Sequence, residues 1–153
     1  MRPFILFCCV FLLVNIFSCK NGEKSKKPSA SARLKTFRGF PPGIHGCSCY
    51  FSTTEKNFRD EKYIFVSNLD SLAYVSINGK VTRLKLASTT REPGTMDERD
   101  YEETYKDAIY TVVISLSFKG NVGDEVWWNT GNLRLFFKGE ELDNVTFLGE
   151  CGC

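Results

Sequence analysis

The sequence predicts an all-β fold, either a small antiparallel sandwich or a barrel. From Phe37 onward, β-branched and aromatic residues alternate with polar ones, and turn residues recur at short intervals. No stretch of useful length shows the apolar spacing of an amphipathic helix. Several short strands separated by turns are typical of antiparallel sandwiches and barrels.

The clearest local pattern is a β-hairpin. Two alternating runs, 72–77 and 80–86, flank Asn78-Gly79, and Asn-Gly supplies the two positive φ values that a type I′ turn requires. This register predicts one apolar face made of Ala73, Val75, Ile77, Leu84 and Leu86. A second hairpin is predicted from 132–137 and 140–148 around Lys138-Gly139.

Two further segments alternate in the same way. Residues 62–67 predict a short strand, and residues 108–118 predict a central strand with one buried side. The buried side of this central strand is predicted to hold Ala108, Tyr110, Val112, Ile114, Leu116 and Phe118. Residues 97–107 are the one helix candidate, but their acidity equally favours an exposed loop. The acidic run 97–103 lacks the ordered spacing of a calcium loop, so we expect it to be solvated.

Two Cys-x-Cys pairs bracket the β-rich part of the chain: Cys47 and Cys49 near its start, and Cys151 and Cys153 at the C-terminus. Residues two apart in a strand point to the same side, so each pair presents both sulfurs on one face. If the first and last strands are adjacent and antiparallel, Cys47 faces Cys153 and Cys49 faces Cys151. We therefore predict these two disulfide bonds.

Other arrangements of these cysteines stay open from the sequence. Cys47 could pair with Cys151 and Cys49 with Cys153, or each Cys-x-Cys pair could close a strained small ring. Together with His45, the sulfurs would also suffice for a tetrahedral zinc site, although zinc ligands are usually spaced more widely. We expect disulfides, with no metal and no other cofactor.

The N-terminus has the pattern of an export signal. Arg2 precedes an apolar stretch from Phe4 to Phe17, which is shorter than the roughly 20 residues of a membrane-spanning helix. The stretch ends in Ile16-Phe17-Ser18-Cys19, which resembles the lipobox of bacterial lipoproteins. This resemblance implies cleavage after Ser18 and a lipid on Cys19, hence anchoring to the inner or outer membrane of a bacterial cell envelope. The alternative is an ordinary secretory signal without lipidation.

The chain then divides into a signal peptide, 1–18, a basic flexible tether, 19–38, and a single β-rich domain, 39–153. The tether carries seven Lys and Arg residues and one acidic residue, whereas the domain carries twelve basic and seventeen acidic residues. A basic segment beside an acyl chain is attracted to anionic headgroups, so we expect the membrane to be a partner. An exported, acidic domain argues against nucleic acid as a partner.

The sequence shows no motif of a known catalytic centre, and its one histidine, His45, leaves little scope for a general base at neutral pH. Trp127 and Trp128 are adjacent, so in a strand one points inward and the other outward. The outward ring either covers a sheet edge or offers a candidate binding surface for an envelope protein or a glycan. We expect a non-catalytic binding or structural module of the cell envelope. The alternative is a thiol-redox or zinc-binding periplasmic protein that uses the two cysteine pairs.

Overall fold

The structure, a computed structural model, describes residues 31–92 and 100–153. The predicted leader, Cys19 and most of the predicted tether lie outside the described residues. The described strands are β1 (Leu34–Lys35), β2 (Phe37–Arg38), β3 (Ser48–Ser52), β4 (Lys62–Tyr63), β5 (Phe65–Ser67), β6 (Leu72–Ile77), β7 (Lys80–Thr89), β8 (Tyr101–Lys106), β9 (Tyr110–Gly123), β10 (Val126–Phe137) and β11 (Glu140–Gly152). A short helix, α1 (Glu55–Arg59), lies between β3 and β4.

Eight of these strands form a closed antiparallel barrel. The order around it is β3, β5, β6, β7, β8, β9, β10, β11 and back to β3. Each strand therefore pairs with the next barrel strand along the chain, and the last pairs with the first, which removes the free edges of the sheet. The prediction of an all-β fold with adjacent terminal strands is confirmed, and the fold is a barrel rather than a sandwich.

Successive connections alternate between the two ends of the barrel, because it is an up-and-down meander. We call one end the hairpin end; it holds the turns Asn78-Gly79 and Lys138-Gly139, the connection 107–109 and the N-terminal segment 31–35. The other, the disulfide end, holds the connections 68–71 and 124–125, residues 90–92 after β7 and residue 100 before β8, and the start of β3 beside the end of β11.

Both predicted hairpins are confirmed, together with their turn chemistry. Asn78 and Gly79 adopt φ values of 52° and 85°, and Lys138 and Gly139 adopt 52° and 85°. Such paired left-handed residues match the twist of the flanking strands. In the first hairpin, Ala73 lies opposite Leu84 and both are buried, as the alternation predicts.

The inward face of β9 agrees with its predicted pattern at Val112, Ile114 and Leu116, which are buried. Ala108 differs, because it lies exposed in the connection before β9 begins. The predicted strand 62–67 is divided at Ile64 into β4 and β5. Beyond the turn at Ile64 the two halves have different partners, since β4 pairs with β2 and β5 with β3 and β6.

The helix candidate over 97–107 is wrong for the part that the structure describes. Residues 97–99 lie outside the described residues, and Tyr101–Lys106 is strand β8 of the barrel. Tyr101, Glu103 and Tyr105 are buried on the inward face of this strand. Because Asp100, Glu102 and Glu103 surround Tyr101, the segment resembled an exposed loop, although its inward row holds Glu103 between Tyr101 and Tyr105.

The folded part begins before residue 39, inside the stretch predicted to be tether. Ala32 and Leu34 are buried at the hairpin end, where β1 pairs with the end of β6. The Leu34 N–H donates to the Asp143 carboxylate over 2.8 Å. Because basic residues are interspersed through 31–38, the sequence predicted a solvated tether there. In the structure, the apolar side chains of Ala32 and Leu34 cover this end of the barrel core.

Two inward glycines make room for aromatic rings inside the barrel. Gly131 pairs with Phe147 and Gly149 pairs with Phe51, and the rings of Phe51 and Phe147 stack with centroids 4.4 Å apart. A Cβ at Gly131 would collide with the Ser115 carbonyl oxygen and lie 2.6 Å from the Phe147 ring, closer than atoms can pack. The Phe147 ring therefore occupies space that a side chain at residue 131 would fill.

We predict that Gly131→Ala lowers the free energy of unfolding by about 3 kcal/mol, because the added methyl group collides with the Ser115 carbonyl of β9 and displaces the Phe147 ring. The matched control is Gly123→Ala, where the nearest atom to an added Cβ is a Val126 carbon at 3.7 Å. This control should change stability by less than about 0.5 kcal/mol. Urea unfolding measures both, and equal losses in the two variants would contradict the packing described.

Candidate functional site

The two predicted disulfides are confirmed and lie at the seam where the barrel closes. Cys49 and Cys151 are direct partners in the β3–β11 pairing and are bonded to each other. Cys47 is bonded to Cys153 just beyond the ends of these strands. The bonds join residues 106 and 102 positions apart, so they tie the start of the barrel to its end.

The inner and outer bonds differ in exposure. Cys49 and Cys151 are buried, whereas Cys153 is exposed and Cys47 is half-buried. Both bonds together occupy the four sulfurs that the zinc alternative required, and His45 is exposed beside them. Among the described residues, no group of three or more His, Cys, Asp or Glu side chains is arranged to hold a metal ion.

Two disulfides in a small domain indicate that the protein resides in an oxidising, non-cytoplasmic compartment. No helix among residues 31–92 and 100–153 has both the length and the apolar content needed to cross a bilayer.

The adjacent tryptophans point to opposite sides of β10. Trp127 is buried inside the barrel, so it forms no part of a surface. Trp128 is half-buried on the outer side, where its ring meets the edge of Phe58 with centroids 5.1 Å apart. The binding surface assigned from sequence to both tryptophans therefore reduces to Trp128.

Trp128 belongs to an outer aromatic cluster, which we define as Phe40, Tyr50, Phe58, Tyr63 and Trp128. Tyr50 stacks on Phe58 with centroids 5.6 Å apart and meets Phe40 and Tyr63 at steeper angles. Phe40 is 50% exposed. The rings come from β3, β4, β10, α1 and the segment before β3, and no pattern in the sequence indicates that these separate positions meet.

The register explains how this cluster forms. Trp128, Glu150 and Tyr50 occupy one row across β10, β11 and β3. Within this row the Tyr50 hydroxyl donates to the Glu150 carboxylate over 2.7 Å. Burial, with the Glu150 charge and hydrogen bond adding to it, raises the pKa of Tyr50 above its ordinary value. The hydroxyl therefore stays protonated and locks the ring in place at neutral pH.

Charged side chains border the cluster along α1. Lys56 and Lys62 both pair with Asp60, and Arg59 pairs with Glu55. An aromatic centre with a polar border is the usual composition of a surface patch that binds another protein.

A group of polar and charged side chains lies inside the barrel at the disulfide end, and no pattern in the sequence predicted it. We define this interior polar cluster as Arg91, Tyr101, Glu103 and Tyr105. The Tyr105 hydroxyl donates to Glu103 over 2.7 Å, and Arg91 Nε lies 3.6 Å from the same carboxylate. Arg91 also donates to the Leu69 carbonyl and lies over the Tyr101 ring.

Glu103 is the one acidic side chain among the buried polar residues of the described chain, with 4% of its surface exposed. Burial raises its pKa above the ordinary value, and the Tyr105 hydrogen bond and the Arg91 charge partly oppose this rise. A raised pKa is common in catalytic acids. However, the Glu103 carboxyl is enclosed by its own partners, so the arrangement supports the barrel rather than presenting an acid to a substrate.

The same inward side of β10 holds two polar atoms without partners in the described part of the chain, Trp127 Nε1 and Asn129 Oδ1. An unpaired buried polar group costs about 1–3 kcal/mol. The disulfide end therefore contains groups whose burial opposes folding, and the two cross-links at this end offset that cost.

No known protein family, curated protein or solved structure matches this chain. Its function must therefore be inferred from its own residues.

We predict that Arg91→Met destabilises the barrel by about 3 kcal/mol at neutral pH, because it removes the cation that favours the ionised form of the buried Glu103 carboxyl. Below the ordinary carboxyl pKa of 4.5, Glu103 is protonated in both the folded and the unfolded state. The cost should therefore shrink as the pH falls through the raised folded-state pKa of Glu103, which lies above this value, and should be lost below it. Urea unfolding over a range of pH measures the effect.

Arg134→Met is the matched control, since Arg134 pairs with Glu102 over 3.2 Å in a partly exposed position. We expect it to cost less than about 1 kcal/mol with little dependence on pH. A pH-independent loss in Arg91→Met would show that packing of the Arg91 side chain, and not its charge, supports Glu103.

Proposed function

We propose that this protein is a lipoprotein of the bacterial cell envelope, anchored through Cys19, and that its barrel is a non-catalytic module that binds another envelope protein. The lipobox resemblance of residues 16–19 supports the anchor. The two disulfides are in keeping with export. The observation that carries the binding role is the outer aromatic cluster, which is built around Tyr50 and in which Trp128 packs against Phe58.

This cluster has the properties of a binding hot spot. Its rings are held rigidly, because Tyr50 is fixed by Glu150 and Phe58 is stacked on Tyr50. Rigid aromatic side chains lose little conformational entropy on binding, and Trp and Tyr are the residues that most often dominate interface energies. The closed barrel supplies a stable platform for them.

A protein partner fits this surface better than a glycan. The Tyr50 hydroxyl of the cluster is already engaged by Glu150. The neighbouring Tyr74 hydroxyl donates to the Pro42 carbonyl over 2.7 Å. Ring faces and edges therefore make up much of the surface, which suits apolar side chains of a protein.

The thiol-redox alternative has less support. A reactive cysteine pair is usually accessible to its partner, whereas the Cys49–Cys151 bond is buried in the seam of the barrel. The outer bond, Cys47–Cys153, is accessible, but it ties down the last residue of the chain, which would otherwise fray. Both bonds therefore fit a structural role.

We predict that Cys19→Ala abolishes membrane association, because the cysteine is the attachment point of the lipid. Fractionation of cells followed by intact-mass measurement tests this: the wild-type protein should lie in the membrane fraction and carry acyl chains. Ser25→Ala, in the same basic segment, serves as the control and should keep both properties. If Cys19→Ala stays in the membrane fraction with the mass of the wild type, the lipoprotein proposal fails.

We predict that Trp128→Ala weakens capture of one defined envelope protein about 30-fold, the effect of removing a hot-spot side chain worth about 2 kcal/mol. Crosslinking in intact cells with mass spectrometry identifies the partner, and titration with that purified partner gives the affinities. Phe136→Ala is the matched control, because Phe136 is a half-buried residue on the same strand, packed against Arg134 outside the cluster.

Equal affinities for wild type and Trp128→Ala would exclude the outer aromatic cluster as the binding surface. Binding to purified cell-wall glycan that depends on Trp128, without any protein partner, would assign the same surface to a glycan instead.

A further inference from the structure

A basic patch lies on the outer wall of the barrel near the hairpin end. We define it as Arg83, Lys85 and Lys106 on the outward side of β7 and β8, with Lys80 at the first position of β7 beside the Asn78-Gly79 turn; all four are exposed and form no ion pair among residues 31–92 and 100–153. Two exposed aliphatic side chains flank it, Val81 with 44% and Ile109 with 45% of the surface accessible.

The register of the patch is unfavourable for an isolated domain. Lys85 and Lys106 are direct cross-strand partners in the β7–β8 pairing, and like charges placed opposite each other destabilise a sheet. Arg83 lies two residues from Lys85 on the same outward side. A surface of fixed negative charge would relieve this repulsion, so the patch is complementary to an anionic surface.

The chain enters the domain on the same wall. Lys35 of β1 pairs with Ser76 of β6, and Ser76 pairs with Val81 of β7. Eleven residues separate Cys19 from the first described residue, Ser31, and this stretch spans at most about 40 Å when fully extended. A lipid on Cys19 would therefore keep the entry point of the chain on this wall within about 40 Å of the membrane surface.

The disulfide end is the more acidic end, since the hairpin end carries exposed Asp107, Glu140 and Glu141 together with its basic residues. Exposed acidic side chains surround the disulfide end: Asp70, Glu92, Asp100, Asp124 and Glu125. An anionic membrane attracts the basic patch and repels the acidic end, and these two forces turn the barrel in the same direction.

From these observations we propose that the basic patch docks on anionic lipid headgroups of the membrane that holds the anchor, with the disulfide end facing away from the bilayer. This proposal rests on the proposed lipid anchor. It gives the domain a fixed orientation, with Val81 and Ile109 meeting the headgroup layer and the Trp128 surface on the side wall left free for a partner.

The test uses the mature protein purified from cells. It is mixed either with vesicles of phosphatidylcholine alone or with vesicles of phosphatidylcholine and phosphatidylglycerol. Labelling with an amine-reactive reagent, read by mass spectrometry of peptides, reports the accessibility of each lysine. We expect the labelling of Lys85 and Lys106 to fall about fivefold on the anionic vesicles, the effect of about 1 kcal/mol per cation near the surface. Lys119, exposed on β9 toward the disulfide end, should label equally on both vesicles.

A double variant, Lys85→Gln with Lys106→Gln, should remove the protection of Lys80, whereas Lys119→Gln should leave it intact. The free energy of unfolding of the double variant should equal or exceed that of the wild type, because the repulsion across the β7–β8 pairing is gone. High salt should abolish the protection in the wild type.

Equal labelling of Lys85 and Lys106 on both vesicles, or protection of Lys119 to the same extent, would overturn the docking proposal. The intact mass of the same sample reports separately whether Cys19 carries lipid. Failure of the anchor and failure of the docking surface are therefore distinguished in one experiment.

Discussion

The pairing of β3 with β11 is the constraint on which the rest of the structure depends. A meander of strands becomes a closed barrel only when its first and last strands meet, and in this chain they meet in the register that puts Cys49 opposite Cys151. A cross-link across about 100 residues contributes roughly 4.7 kcal/mol in the chain-entropy description. The same register aligns Tyr50 with Glu150 and Trp128. Closure of the barrel and assembly of the outer aromatic cluster therefore follow from one pairing.

The two ends of the barrel are closed by different chemistry. At the hairpin end, Ala32 and Leu34 cover the core with apolar contacts. At the disulfide end, Arg91 spans from Glu103 to the Leu69 carbonyl, so charged and polar groups occupy the interior. Burial of these groups opposes folding, and covalent closure at the same end compensates. The distribution also places exposed acidic residues at one end and the basic patch near the other, which gives the domain an electrostatic direction.

Features governed by local chemistry were predictable from the sequence. Asn78-Gly79 dictates a hairpin by its backbone preferences alone, and the Cys-x-Cys spacing dictates two bonds once the terminal strands are adjacent. Features governed by tertiary contacts were not. Glu103 resembles a solvated acid in sequence, and only the barrel shows that Tyr105 and Arg91 make its burial tolerable. Similarly, Phe40, Phe58 and Trp128 are far apart in the chain and meet through the closure of the barrel.

Amide hydrogen exchange along β3 and β11, in the oxidised and the reduced protein, tests the role of the seam most directly. In the oxidised protein, the paired amides of Tyr50 and Glu150 should exchange as slowly as those in the centre of β9 and β10, because the seam opens only with the whole barrel. Reduction should make the seam exchange much faster than the β9–β10 pairing. If the seam is equally protected with and without its disulfides, covalent closure is not what holds the barrel together, and the central role assigned to the cross-linked seam is wrong.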